Sequence, residues 1–166
     1  YDKGYDRVYD TLELEKNLDD AETIILNILD KWDKKETLCS WKFNKILGKY
    51  LIDNTKGRGV LKSAYQNNVP VFVPAFTDSE FGLDVGMYNI AQRMKKKPEV
   101  NFNPFFDLDK FKDMIVPQKK LGIFTIGGGV PRNWAQQIGP YLDIIEKHLG
   151  KTAGGGFKRY NYGVRI

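Results

Sequence analysis

Hydrophobic residues in the first part of the chain recur at the spacing of amphipathic helices. A first helix, which Asp19 or Asp20 can cap, has the apolar face Ile24, Ile25, Ile28, Leu29 and Trp32. A second helix, which Ser40 can cap, has the apolar face Ile46, Leu47, Tyr50 and Leu51. A third helix runs through Val60, Leu61 and Ala64 and ends at Asn67-Asn68. This part of the chain is therefore predicted to be a helical scaffold.

The pattern then alternates between short apolar runs and further helices. Residues 69–74 and 121–126 are short apolar runs that predict two strands, and the alternation in residues 160–166 predicts a third. Helices are predicted for residues 83–94, for a short segment that begins at Asp107 or Asp109, and for residues 132–149. Strands that alternate with helices favour a mostly parallel sheet with flanking helices, so the expected fold class is α/β and Rossmann-like.

Length and composition agree with a single α/β domain over residues 1–166. Of these residues 42% are hydrophobic and 28% charged, values that exclude a disordered or collagen-like chain. No run approaches the roughly 20 apolar residues that span a bilayer, and the first residues resemble no signal peptide. The single cysteine, Cys39, cannot form an internal disulfide. We expect a cytoplasmic protein without a membrane partner, in which Cys39 is a structural thiol.

The net charge of +5 raises the hypothesis of a nucleic-acid partner. The basic residues are spread along the chain among acidic ones, however, and only residues 93–97 form a cluster. Because this cluster stops at Pro98, it is expected to end a helix rather than to bind phosphate. Neither a nucleic-acid partner nor a metal site is therefore predicted.

Two loops follow predicted strands, which is where α/β sheets bind their ligands. In the first loop, Asp78 and Asp84 lie six residues apart on either side of Gly82. Both carboxylates could face one crevice and bind a cationic or hydroxyl-bearing ligand, while the glycine allows the backbone to bend. Alternatively, Asp78 only caps the next helix.

The second loop contains Gly127, Gly128 and Gly129 and leads into a helix. Without side chains the loop leaves room for a bulky cofactor, and N–H groups at the start of the helix could bind a pyrophosphate. Alternatively, the glycines only permit tight packing of strand against helix. The loop matches neither the GxGxxG fingerprint nor the P-loop motif. The only histidine, His148, lies near the end of a predicted helix and is expected to be structural.

Two segments together resemble the deoxyhypusine synthase family, including its bacterial and archaeal deoxyhypusine-synthase-like members. They are residues 68–78, NVPVFVPAFTD, and residues 126–137, IGGGVPRNWAQQ. Their order and separation also match the family, and residues 4–14 and the helix that ends in Leu47-Gly48-Lys49 are similar to it as well. The resemblance covers nearly the whole chain and identifies it as the central portion of such a fold.

The resemblance implies a Rossmann-like fold, NAD as cofactor, and a homotetramer with active sites at subunit interfaces. It also implies that spermidine is cleaved by transient oxidation and that a lysine carries the aminobutyl group as an imine. The final acceptor in deoxyhypusine synthase is a lysine of a translation initiation factor. In homospermidine-forming relatives the acceptor is a small diamine.

The site residues of the family can be carried over to matching positions here. Thr77 and Asp78 resemble residues that contact NAD, and Asp84 resembles an acid that pairs with an ammonium group of the polyamine. Residues 127–129 resemble the turn that lies against the cofactor. The resemblance therefore implies one crevice that holds both the cofactor and the polyamine.

The chain also departs from the family pattern. Asn133 and Gln137 occupy positions where the eukaryotic enzymes have a histidine and an asparagine beside the polyamine. Because an asparagine side chain does not titrate, another group would have to act as the base, and Glu80 is a candidate. The family's catalytic lysine is expected in a segment beyond Ile166, so no lysine here is assigned as the nucleophile.

The leading hypothesis is an NAD-dependent aminobutyltransferase whose remaining segments are supplied by a longer or a companion chain. Two alternatives stay open. One is a catalytically inactive regulatory subunit of such an enzyme, and the other is a structural domain without a ligand.

Overall fold

A computed structural model describes residues 4–8, 10–150, 156 and 158–166 of the chain. In chain order its elements are β1 (Tyr5–Val8), β2 (Thr11–Leu14), α1 (Glu15–Lys31), α2 (Ser40–Asn54), α3 (Val60–Gln66), a single 3-10 turn (Phe76–Asp78), α4 (Glu80–Met94), α5 (Phe105–Ile115), β3 (Gly122–Thr125), α6 (Val130–Gln136), α7 (Ile138–Leu149) and β4 (Tyr162–Arg165). Helices flank a parallel pair of strands, so the predicted α/β fold class is confirmed.

The elements divide into two compact units. The first unit holds the chain up to Leu38 together with Lys42–Pro70 and Phe76–Phe102. The second unit holds Cys39–Trp41, Val71–Ala75 and the chain from Asn103 onward. That the whole chain is one domain stays a prediction.

The first unit is built on helices α1, α2 and α4. Its buried apolar side chains include Ile25, Ile28, Leu29, Phe43, Leu47, Phe76, Val85, Tyr88 and Val100. The Tyr88 hydroxyl on α4 donates a hydrogen bond of 2.9 Å to the carboxylate of Asp30 on α1. Burial, this hydrogen bond and the negative charge of Asp30 raise the pKa of Tyr88 to about 12, so the hydroxyl remains a donor at neutral pH.

The start of the first unit differs from the prediction. Strands β1 and β2 form an antiparallel hairpin in which Tyr5 pairs with Leu14, and these strands were not predicted. Helix α1 begins at Glu15, directly after β2, and no side chain caps it. The predicted caps Asp19 and Asp20 therefore lie inside the helix, and this prediction was wrong.

The second unit contains the predicted strand pair. Strands β3 and β4 are parallel, with Gly122 opposite Tyr162 and Thr125 opposite Arg165. Helices α5 and α7 contribute to a core of Ile115, Leu121, Ile138 and Leu142. The opposite face of the pair is exposed and presents Phe124, Ile126, Tyr162, Val164 and Ile166. The predicted glycine-rich turn before β4 lies, apart from Gly156, outside the described residues.

Residues 69–74 form no strand, which corrects the sequence-based prediction. Pro70 and Pro74 have no N–H to donate to a strand ladder. The Val69 N–H donates to the Ala64 carbonyl oxygen, and the Val73 N–H donates to the Ser40 hydroxyl oxygen. At four of the six positions the backbone donor that a strand would need is therefore absent or bonded elsewhere.

The start of α2 is capped from a distant position. Ser40 is the first residue of α2 rather than its cap. The carboxylate of Asp107 accepts hydrogen bonds from the N–H groups of Ser40, at 3.1 Å, and Trp41, at 2.9 Å. Asp107 was expected to begin α5, but that helix begins at Phe105 and Asp107 is buried within its first turn. The predicted cap of α2 and the predicted start of α5 were therefore wrong.

The long helix predicted for residues 132–149 is two helices. Helix α6 ends at Gln136 and α7 begins at Ile138. The Gln137 N–H donates to the carbonyl oxygens of both Asn133 and Trp134, which closes α6 in a tight last turn. Pro140 lies in the first turn of α7, where backbone N–H groups have no partner within the helix. The N–H that proline lacks therefore costs no helical hydrogen bond.

Candidate functional site

The first candidate loop is fixed between the 3-10 turn and α4. The Ser79 hydroxyl oxygen accepts a hydrogen bond of 3.2 Å from the Gly82 N–H and so caps α4. The ring of Phe76 is buried and stacks on Phe102, with 4.5 Å between ring centroids. Because Ser79 is the cap, the alternative in which Asp78 only caps this helix is wrong.

The side chains of Thr77 and Asp78 are exposed at the end of the 3-10 turn. Neither forms a hydrogen bond or ion pair with another residue in the described part of the chain. Gly82 holds this turn close to α4, since a Cβ atom added there would lie 2.0 Å from the Phe76 carbonyl oxygen. Both polar side chains are thus presented to solvent on a backbone that is tightly fixed.

Asp84 on α4 is a buried residue, 8% exposed, whose carboxylate oxygens still reach solvent. It has no hydrogen bond or ion pair to any residue that the structure describes. Burial raises its pKa, and the negative charges of Glu22 on α1 and Glu80 on α4 raise it further. The three carboxylates form an acidic cluster, in which a bound cation would relieve both their repulsion and the desolvation of Asp84.

The acidic cluster predicts a pH-dependent stability. The pKa of Asp84 is higher in the folded chain than in the unfolded chain, so its ionised form opposes folding. This penalty is absent below the unfolded pKa and complete above the folded pKa. We therefore expect Asp84→Asn to raise the melting temperature at pH 7 and to leave it unchanged near pH 3.

Circular dichroism melts of the wild type and of Asp84→Asn at both pH values measure this difference. The exposed Asp109 on α5 is a matched control, and Asp109→Asn should leave the melting temperature unchanged at pH 7. A lower melting temperature of Asp84→Asn at pH 7 would instead mean that the carboxylate stabilises the fold.

The glycine loop lies directly beyond the carboxyl end of β3. Gly127 and Gly129 have φ angles of +77° and +91°, a region that side chains disfavour. A Cβ atom added at either position would meet no described atom within 4 Å. The interpretation as tight strand–helix packing is therefore wrong for these two glycines. They provide an open turn at the edge of the sheet where ligands of α/β proteins bind.

The loop is attached to the neighbouring strand. The Gly127 N–H donates to the Ile166 carbonyl oxygen at 3.1 Å, and Arg165 Nε donates to the Gly127 carbonyl oxygen at 3.2 Å. Gly128 is closer to the strand, since an added Cβ atom would lie 3.4 Å from Arg165 Nη2. The open turn is thus held in one conformation by β4.

Helix α6 begins directly after the glycines and has seven residues. Pro131, in its first turn, has no N–H, so the helix offers fewer donors than expected. Asn133 and Gln137 are exposed one helical turn apart. Between them, the ring of Trp134 stacks on Phe111, at 5.0 Å between centroids, and contacts Phe72 at 5.3 Å. This aromatic cluster of three rings fixes α6.

The predicted site residues fall into two groups. Thr77, Asp78 and Asp84 belong to the first unit, whereas the three glycines, Asn133 and Gln137 belong to the second. Their roles stay predictions. Sequence reasoning missed Glu22, because no local pattern relates it to a carboxylate 62 positions away in the chain.

The remaining expectations concern Cys39, His148, a membrane-spanning helix and a metal site. Cys39 is fully buried, as expected of a structural thiol, and His148 lies exposed in the last turn of α7. Across the described ranges, no helix is long and apolar enough to cross a membrane. No group of three histidine, cysteine or acidic side chains in those ranges could hold a metal ion.

The fold and these loops define an α/β protein with an open glycine turn at the carboxyl end of a parallel strand and, on α4, an acidic cluster around the buried residue Asp84. The family model of deoxyhypusine synthase matches residues 1–166. The chain therefore belongs to the deoxyhypusine synthase family, as its sequence motifs predicted.

Individual relatives agree with the family. A Methanosarcina acetivorans protein named "Probable deoxyhypusine synthase 2" is 32% identical over 158 residues, which are 93% of this chain and 42% of the relative. A "Deoxyhypusine synthase-like protein" of Caulobacter vibrioides is 34% identical over 146 residues, 87% of this chain and 40% of the relative. The chain thus spans about two fifths of the length of these curated relatives.

A solved structure is also similar. The crystal structure of a protein assigned as a deoxyhypusine synthase from Entamoeba histolytica has a TM-score of 0.56 and 25% sequence identity to this chain. The match covers 70% of this chain and 38% of the solved one. The fold is therefore part of a deoxyhypusine synthase fold.

Proposed function

We propose that the chain supplies the polyamine-binding and NAD-binding part of a deoxyhypusine synthase-like aminobutyltransferase. Such an enzyme transfers the aminobutyl group of spermidine to an amine, either a lysine of a translation factor or a small diamine. The observation that carries the proposal is Asp84, a residue only 8% exposed whose solvent-accessible carboxylate has no hydrogen-bond or ion-pair partner among the described residues. A protein retains such a group at a cost in stability, which is typical of functional sites.

The acidic cluster suits a polyamine. Spermidine is a chain of ammonium groups joined by apolar carbons, and carboxylates bind ammonium groups strongly where water is partly excluded. Asp84 would pair with one ammonium group, while Glu80 and Glu22 add negative potential nearby. Burial and these charges raise the pKa of Asp84. Among the described residues, its carboxylate is therefore also the best candidate to accept a proton from the amine.

The residues predicted for NAD carry groups that such a cofactor could bond. In the first unit, the exposed Asp78 carboxylate and Thr77 hydroxyl can bond ribose hydroxyls. In the second unit, the open turn at Gly127 and Gly129 leaves room for a phosphate or ring to approach the backbone. When bound, NAD would supply a hydride acceptor for amine oxidation. Asn133 can orient a substrate by hydrogen bonds but cannot take up a proton.

Separate titrations with spermidine and with NAD test the proposal. Calorimetry should show that Asp84→Asn weakens spermidine binding at least about tenfold, because it removes a charge-assisted pair. Asp78→Ala should weaken NAD binding by a similar factor and leave spermidine binding intact. The control Asp109→Asn should change neither affinity.

Equal spermidine affinity in Asp84→Asn and the wild type would contradict the polyamine assignment. Product with putrescine or with the translation factor is expected only when a longer or companion chain supplies the segment with the catalytic lysine. If both ligands bind but no product forms even in its presence, the data would favour the inactive regulatory subunit.

A further inference from the structure

A cavity of about 310 Å³ lies between α1 and α2 in the first unit. Each helix contributes two apolar side chains one turn apart, which are Ile28 and Trp32 from α1 and Ile46 and Tyr50 from α2. Ile28 is buried and the other three are half-buried. We call this space the α1–α2 cavity. Its volume is at the lower end of the range of small-molecule sites, about 300–1,000 Å³.

The aromatic wall of the cavity is held in place. The indole N–H of Trp32 donates a hydrogen bond of 3.1 Å to the Glu36 carbonyl oxygen. The ammonium group of Lys42 lies 5.7 Å from the centroid of the same ring, within the distance of a cation–π contact. A wall that is fixed before a ligand arrives costs less free energy to order on binding. On the side of Trp32 the cavity is therefore preformed.

The rim of the cavity is polar. A second pair of side chains lies beside each apolar pair, namely Asn27 and Lys31 on α1 and Lys49 and Asp53 on α2. All four of these residues are exposed, so polar groups at the mouth surround apolar groups inside. An apolar interior with a few polar groups is the usual lining of a site for a small organic molecule.

The charged groups of the rim have no partner within the described part of the chain. The ammonium groups of Lys31 and Lys49 form no ion pair or hydrogen bond there. The Asp53 carboxylate and the Tyr50 hydroxyl form none either. Lys31 is not needed at the end of α1, because the Lys34 ammonium group already donates to carbonyl oxygens there. Two lysines outnumber one aspartate, so the rim favours a negatively charged ligand.

We propose that the α1–α2 cavity is a binding site for a small anion with an aromatic body, such as an aromatic carboxylate. The aromatic body would contact Ile28 and Ile46 beside the indole of Trp32. The carboxylate would pair with the ammonium groups of Lys31 and Lys49. Aromatic pairs and charge-assisted hydrogen bonds are both favourable where water is partly excluded. The cavity shares no residue with the acidic cluster or the glycine turn, so this site is additional to the proposed function.

Three indole derivatives that differ in charge test the class of ligand. Indole-3-propionate is an anion, tryptophan is a zwitterion and tryptamine is a cation. With about 14 heavy atoms, indole-3-propionate should have a dissociation constant of about 1 mM or below. Tryptophan carries an ammonium group that only Asp53 could pair with, and it should bind about threefold more weakly. Tryptamine should bind about tenfold more weakly than the anion.

Titrations followed by two-dimensional NMR of the backbone amides measure these affinities and locate the ligand. The largest shifts are expected within residues 27–32 and 46–53. Absence of binding by indole-3-propionate would overturn the proposal. Tighter binding of tryptophan or tryptamine than of indole-3-propionate would overturn the choice of an anion.

The double variant Lys31→Gln/Lys49→Gln should weaken binding of indole-3-propionate by about tenfold or more, since it removes both positive groups of the rim. The matched control is Lys45→Gln, because Lys45 is exposed on α2 and does not line the cavity. Both variants should melt like the wild type, as expected for exposed lysines. Equal weakening by the two variants would contradict the assigned site.

Ile46→Trp tests the cavity itself. The larger side chain should occupy part of the space and weaken binding by about tenfold without changing any charge. Unchanged affinity would mean that the ligand binds elsewhere. The double lysine variant decides the question if the tryptophan disturbs the fold.

The variants Asp78→Ala and Asp84→Asn separate this site from the proposed function. Both should bind indole-3-propionate like the wild type, because neither residue lines the cavity. Loss of binding in either variant would place the anion at the candidate functional site and overturn the assignment to the α1–α2 cavity. Because no titration with an indole derivative requires NAD or spermidine, the two proposals can fail independently.

Discussion

Gly82→Ala is expected to destabilise the chain by about 3 kcal/mol or more, which corresponds to a fall of about 6–12 °C in melting temperature. The added Cβ atom would lie 2.0 Å from the Phe76 carbonyl oxygen, 2.8 Å from its carbonyl carbon and 2.9 Å from the Thr77 Cα atom. All three are backbone atoms, so no side-chain rotation can relieve the overlap. The stacking of Phe76 on Phe102 prevents the turn from moving away.

Gly86→Ala in the same helix is the matched control, because nothing lies near its added Cβ atom. It should stabilise the chain by about 1 kcal/mol through helix propensity. Circular dichroism melts at low protein concentration compare the two variants. Because the turn must shift to accept the new Cβ, Gly82→Ala should also weaken NAD binding through Asp78. An unchanged melting temperature would show that the turn is free to move.

Asp107→Ala is expected to cost about 3–5 kcal/mol. The carboxylate of Asp107 is 4% exposed and accepts two backbone hydrogen bonds at the start of α2. Ser40 is fully buried, so water cannot replace the lost partner of its N–H. The loss would also loosen the Ser40 hydroxyl, to which the Val73 N–H donates.

Urea denaturation of Asp107→Ala, Asp107→Asn and Asp109→Ala measures this contribution. Asparagine retains one acceptor oxygen and loses the charge, so its cost should be about half that of alanine. Asp109 is exposed on the same helix, and its replacement should change the free energy of unfolding by about 0.5 kcal/mol or less. Equal stability of Asp107→Ala and Asp109→Ala would show that the Asp107 carboxylate does not stabilise the start of α2.

Local patterns were sufficient where a segment buries one face of its own helix or strand. The periodicity of residues 24–32 placed the core face of α1, and residues 121–126 and 160–166 contained β3 and β4. The break between α6 and α7 could also have been predicted, because Pro140 ends or bends a longer helix. The sequence therefore contained the signal for the break, but the apolar periodicity on both sides of Pro140 favoured one long helix.

Long-range hydrogen bonds could not be predicted in the same way. Residues 69–74 have a strand-like composition, but the Val73 N–H is bonded to a hydroxyl 33 positions earlier. Asp107 caps a helix that begins 67 positions before it. In both cases a tertiary contact overrides the local preference, and the sequence alone does not encode which side chain arrives.

In the candidate site, too, local features could be predicted from sequence and long-range contacts could not. The position of the glycine turn after a strand followed from sequence, whereas the positive φ angles that require glycine at Gly127 and Gly129 did not. The surroundings of Asp84 did not, because Glu22 reaches it from another helix. The family motifs located the loops, and the structure added the burial and charge that give Asp84 its raised pKa.

The aromatic cluster around Trp134 also has a spectroscopic consequence. The chain has three tryptophans, and each has different surroundings. Trp134 lies among the rings of Phe72 and Phe111, whereas Trp32 in the first unit has the Lys42 ammonium group over its ring at 5.7 Å. Variants in which Trp32 or Trp134 is the one remaining tryptophan, with Trp41 also replaced, would therefore emit from a single known unit. The unfolding of each unit could then be followed by its own fluorescence, without an attached label.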